Sequence, residues 1–144
     1  MLINKAVISN LSPCSSRFNN YLDHYEKFNG SLDDFLDLDK ITYSDKIWVA
    51  SRLLNKNQLV HFGLLCAESV LNIYEDKYPK DKRVKDCIEY LKTIKNYDNI
   101  SSIERENINV HTANAYAANA YAATNARIEQ ESLNLEYLKI AASI

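Results

Sequence analysis

Only two glycines and two prolines punctuate the 144 residues of this chain. All-β folds and dinucleotide-binding folds use many more of both in tight turns and phosphate loops. The scarcity alone points to helices joined by short connections. Eight alanines, with no glycine or proline, stand between Ala113 and Ala126. Within that run NAYAA occurs twice in succession, at 114–118 and 119–123. Alanine has the highest intrinsic helix propensity. At about 100° per residue, five residues advance a helix by about 140° net. Tyr116 and Tyr121 therefore leave different faces, as do Asn114 and Asn119. Two stripes of small residues remain: Ala113, Ala117, Ala120 and Thr124, and, opposite them, Ala115, Ala118, Ala122 and Ala126. They predict a central helix held between two neighbours, its tyrosines filling the corners.

The rest of the chain divides into shorter periodic segments. Residues 1–13 read as irregular, extended or a first helical turn, with Pro13 as a boundary. A helix opens at Ser15 or Ser16, places Phe18, Leu22 and Tyr25 on one face, and is stopped by Gly30. Ser31 begins the next, with Leu32, Phe35, Leu36 and Leu38 inward and aspartates in the first turn, where the helix dipole favours them. Thr42 and Ser44 precede a helix with Ile47, Trp48, Ser51 and Leu53 or Leu54 at helical spacing. Asn55-Lys56-Asn57 breaks the pattern. The longest apolar helix then runs from Leu59 to Tyr74 and ends before Pro79. Gly63 interrupts it, and close backbone packing is the usual reason for such a glycine. Asp81 caps a helix whose inner stripe is Val84, Ile88, Leu91 and Ile94. Asn96-Tyr97-Asp98-Asn99 reads as a polar turn. Ser101 and Glu104 form a capping-box pair ahead of the alanine helix, which continues toward Leu133, Leu135, Leu138 and Ile140. The expected architecture is all-α: one domain over 1–144, a bundle of five or six helices with the alanine-rich helix at its centre.

Charge and cysteine usage limit the function classes. Seventeen basic and nineteen acidic side chains give a net charge of −2, so no global field favours nucleic acid or an anionic membrane. No segment approaches the ~20 apolar residues of a membrane span. The start, MLINKAVISNL, lacks the sustained apolar core of a secretory signal. Cys14, Cys66 and Cys87 are widely spaced, with no Cys-x-x-Cys pair. Cys66 and Cys87 fall in apolar stripes and read as small buried hydrophobes. Disulfides are not expected, and the location expected is cytoplasmic.

No phosphate loop, nucleophile elbow or zinc-protease motif occurs, so the chain is not expected to be an enzyme or to carry a catalytic residue, cofactor or metal. His61 and Glu68 share a helix face, and with His111 they make the one metal set worth naming. The basic stretch Lys77–Lys95 is interleaved with Asp81, Asp86 and Glu89, the pattern of a solvated helix face. Trp48 and Arg52, four residues apart, can stack. Asp33, Asp34, Asp37 and Asp39 form the strongest one-sign cluster, and are the candidates for meeting a basic partner.

Three motifs carry a resemblance. They are Ser44-Asp45-Lys46-Ile47-Trp48, Cys66-Ala67-Glu68-Ser69-Val70-Leu71 and Tyr78-Pro79-Lys80-Asp81-Lys82-Arg83, followed by the alanine run. From about Asp39 onward the chain resembles a family of small helical bacterial immunity proteins, in which a Pro-x-Asp-x-Arg turn opens a helix. Val84 departs from it where proline follows the arginine. The resemblance implies an inhibitor that binds and neutralises a partner protein, a toxin or effector. It makes Asp45, Trp48, Pro79, Asp81 and Arg83 family-motif positions. A phage or prophage origin is a variant of the same reading. Two rivals stay open: a helical adaptor or homo-oligomeric structural protein, and a metal- or ligand-dependent enzyme.

Overall fold

The computed structural model describes residues 1–97 and 127–144. The alanine run, its tyrosine repeat and the Ser101/Glu104 pair lie outside the described residues. Seven helices and one minimal sheet are described, in the order β1 (Ile3–Asn4), α1 (Lys5–Asn10), α2 (Ser15–Tyr25), β2 (Asn29–Gly30), α3 (Leu32–Leu36), α4 (Tyr43–Leu53), α5 (Lys56–Lys77), α6 (Arg83–Thr93) and α7 (Arg127–Ala142). The all-α expectation holds. The count exceeds five or six through α1, only six residues long and too short for a periodic signal, whereas α3 lies where Ser31 and the Leu32, Phe35, Leu36 stripe placed it.

Local chemistry sets most helix starts. Asn4 caps α1, its side-chain oxygen accepting from the amides of Ala6 and Val7 at 3.1 Å. Ser31 and Asp34 close a capping box on α3, and Asn55 and Gln58 close one on α5. Thr42 caps α4 through the Asp45 amide. Each such bond satisfies an amide that the helix itself leaves without an acceptor. Before Pro13 the chain turns through Ser12, whose φ of 57° is left-handed.

The N-terminal segment is both extended and helical. β1 pairs antiparallel with β2, Ile3 opposite Gly30 and Asn4 opposite Asn29. This corrects the role expected of Gly30. α2 ends at Tyr25, and Gly30 belongs to the sheet, with no positive φ. The glycine is required for space: a Cβ there would lie 2.8 Å from Phe28 Cζ and 3.0 Å from Asp34 Cβ.

One core cluster joins the first 50 residues to the last helix: Ile3, Ile8, Tyr21, Phe35, Val49 and Leu138 are among its buried members. α7 lies against α5, α3 and α4. Leu138 and Ala141 are buried, whereas Leu133 and Ile140 are 40% and 49% exposed. A smaller cluster of Leu64, Val84 and Ile88 fills the α5–α6 seam. Gly63 has no described residue packed closely on it: a Cβ at this position would meet nothing within 4 Å among the described residues. Asp98 and Asn99 of the expected polar turn lie outside the described residues, and Tyr97 before them is buried. Its amide donates to Asn57 Oδ1 at 2.8 Å, its carbonyl accepts from Lys56 Nζ at 2.6 Å, and its hydroxyl donates to the Leu91 carbonyl.

Candidate functional site

The aspartate cluster occupies α3 and the turn after it. Asp34 is turned back on its own helix start, accepting from the Ser31 amide at 2.8 Å and the Ser31 hydroxyl at 2.6 Å. Those donors, the hydroxyl first, hold its carboxyl below the usual range. Asp37 accepts from Lys139 Nζ of α7 at 2.6 Å and stays 67% exposed. Asp39 accepts from the Tyr25 hydroxyl, which lowers its pKa, and lies 3.4 Å from Lys40 Nζ. The carboxylate of Asp33 is exposed and makes no hydrogen bond or ion pair among the described residues.

Two lysines stand behind these carboxylates. Lys139 is largely covered, and Lys46 of α4 is only 8% exposed. Burial lowers the Lys46 pKa and the nearby Lys139 charge adds to that, against Asp37 and Asp39. The patch is therefore a half-compensated acidic surface. Asp33, Asp37 and Asp39 face solvent, where exposed charges influence association rate more than affinity.

The Pro79–Arg83 motif is a joint between helices. Asp81 accepts from Arg83 Nε at 2.9 Å, from the Arg83 amide at 3.1 Å and from the Tyr74 hydroxyl at 2.7 Å. The N-cap of α6 is Lys82, with no side-chain cap bond, and Asp81 one position before it holds the first helical amide. The Arg83 guanidinium, then the Tyr74 hydroxyl, hold its carboxyl far below the ordinary range. Around this joint the basic face of α6 meets α5: Lys82 and Lys85 reach Glu75 at 3.7 and 4.0 Å, and Lys92 pairs with Glu68. The lysines here serve the α5–α6 seam and the solvated face.

That pairing commits Glu68, one member of the metal set, while His111 lies outside the described residues. Among the described residues no three His, Cys, Asp or Glu side chains converge on a metal position. Cys66 and Cys87 are buried, as expected, and all three cysteines are free thiols. Burial pushes the Cys66 thiol up to about 12. The thiol donates to Asn134 Oδ1 at 3.3 Å, and Asn134 Nδ2 donates to the Tyr43 hydroxyl at 3.1 Å. This chain of bonds links α5, α7 and α4. Nothing in the spacing of the three residues announces it.

Asp45 and Trp48 lie on α4, beside a cavity that no motif foreshadows. Arg52 stacks on Trp48 as its spacing suggested, the guanidinium carbon 3.9 Å from the ring centroid. Trp48 is half-buried: it packs against the larger core and walls the cavity. The cavity holds about 410 Å³ and is lined from α1, α2, α3 and α4.

A family profile described as "Imm-5 like putative immunity protein" matches residues 51–134, more than half of the chain. The match includes Pro79, Asp81 and Arg83 and begins after Asp45 and Trp48. No curated protein and no solved structure matches the chain.

Proposed function

We propose that this chain, which belongs to the Imm-5 like family of immunity proteins, binds a partner toxin or effector protein and neutralises it without chemistry of its own. The family match carries the reading. An inhibitor of this kind needs a rigid scaffold and a complementary surface. The capped helices and the Tyr74–Asp81–Arg83 joint supply the first. The exposed carboxylates of Asp33, Asp37 and Asp39 are the surface best suited to a basic partner, with Asp34 shaping the helix that carries them. Three free thiols suit action in a reducing cytoplasm.

The test is affinity capture from the source cell with the full chain as bait, followed by expression of the captured protein in a naive host. A captured protein that arrests growth alone, and is silenced by co-expressing this chain, supports the proposal. A captured protein that is harmless refutes neutralisation, and self-association without capture favours the adaptor reading. Asp33→Lys then tests the surface. It breaks no bond within the described residues, and should slow association with a basic partner most strongly at low salt.

A further inference from the structure

We propose that the cavity among α1–α4 is a binding site for a small amphipathic anion: an aryl carboxylate whose ring packs inside while its acid group meets arginines at the mouth. Its volume of about 410 Å³ falls in the range of small-molecule sites, roughly 300–1,000 Å³. Ile8, Phe18, Phe35, Ile41 and Val49 supply apolar wall from several directions. At the mouth stand Arg17, Arg52 and a single carboxylate, Asp45.

The two arginines differ in what they have left to give. Arg17 lies 3.4 Å from Asp45, whose carboxylate also accepts from the Thr42 hydroxyl at 2.7 Å. Arg52 has no carboxylate partner among the described residues. It is held flat on the Trp48 ring and donates to the Trp48 carbonyl at 3.1 Å. A guanidinium fixed in this way, with no other hydrogen bond among the described residues, is prepared for a carboxylate.

The second observation is Tyr21. The residue lines the cavity and is 3% exposed, yet its buried hydroxyl has no hydrogen-bond partner among the described residues. Buried polar groups are almost always paired. A position needed only to fill space would be served by phenylalanine. A ligand oxygen gives this hydroxyl its acceptor. Apart from Arg52, the lining residues precede the family-matched segment, so the proposal does not rest on the immunity reading.

The experiment titrates the purified full chain with fluorescent 7-hydroxycoumarin-4-acetate, which has an oxygen at one end of its ring system and a carboxylate at the other. Expected are saturable 1:1 binding with Kd below about 1 mM and slowed alkylation of Cys14, the one exposed cysteine at the rim. Arg52→Gln and Tyr21→Phe should each weaken binding about tenfold. Tyr21→Phe keeps the ring, and Arg52→Gln alters an exposed side chain, so a folding failure in one leaves the other decisive. The uncharged 7-hydroxy-4-methylcoumarin should bind more weakly. Absence of saturation, unchanged affinity in both folded variants, or equal affinity for the uncharged analogue overturns the proposal.

Discussion

Leu138 is 1% exposed at the centre of the larger core, with material from residues 3–54 packed around it. Replacing it with alanine removes three carbon atoms from a site with no solvent to fill the void. Comparable buried Leu→Ala changes cost about 2.7–5 kcal/mol, the spread reflecting how far neighbours collapse. Ala141, one turn on and fully buried, has little side chain to move into the gap, so we expect about 3 kcal/mol. At about 2.1 cal/mol/K per residue, a chain of 144 residues unfolds with an entropy of about 300 cal/mol/K, and 3 kcal/mol then lowers Tm by about 10 °C. The assay is thermal unfolding followed by circular dichroism, with urea titration giving the free energy. Leu133→Ala is the control. That residue is 40% exposed and should cost under about 1 kcal/mol. Equal losses for the two variants, or a Leu138→Ala cost below about 1 kcal/mol, would refute the assigned rotation of α7.

The two glycines should respond oppositely to alanine. Gly63→Ala, whose new Cβ meets nothing within 4 Å among the described residues, should raise stability by about 0.5–1 kcal/mol, while Gly30→Ala, 2.8 Å from Phe28 Cζ, should lower it, both read as shifts in Tm. Asp81→Asn tests the helix joint through pH. Because the folded carboxyl lies far below its usual range, its stabilising effect is complete above the unfolded value of about 3.9 and is lost as pH falls toward the folded one. The variant should therefore be less stable than the parent at pH 7, with the gap closing below about pH 4 in urea titrations. Alkylation by iodoacetamide should modify Cys14 in the folded chain, its thiol pKa being lowered first by the Arg17 amide, and should reach Cys66 and Cys87 only in denaturant. Mass spectrometry after a timed quench distinguishes the three.

Much of the fold was legible because helix ends are local events. Ser31 and Thr42 act within three residues, and the structure uses each as a cap; Asn55-Lys56-Asn57, read as a break, is instead the start of α5, with Asn55 as its cap and Lys56 and Asn57 in its first turn. The stripe of α6 was equally plain, since Val84 and Ile88 lie one turn apart. What was not legible depends on distant partners. The two-residue strands exist only because Ile3 meets Gly30. Tyr97 reads as polar-turn material, yet α5 supplies both Asn57 and Lys56 to hold its backbone. Lys46 sits amid the Asp45–Trp48 motif with nothing to announce its burial, which comes from packing in the bundle. Of the candidate surface, the aspartates were visible as a cluster. Their partial neutralisation by Lys139 was not, being a contact across 102 positions. The cavity was hidden for the same reason, since its walls come from four helices.

The larger core places residues 3–54 and 135–142 in one cluster, and this has a consequence for synthesis on the ribosome. The N-terminal helices emerge first but cannot bury their inner faces against α7 until some 80 further residues (135 minus 54) have been made. At about 5–20 residues per second that delay is on the order of ten seconds. During it, apolar faces of α3 and α4 stand open to chaperones and to neighbouring nascent chains. The interval between the first helices and a closed core is therefore set by the translation rate.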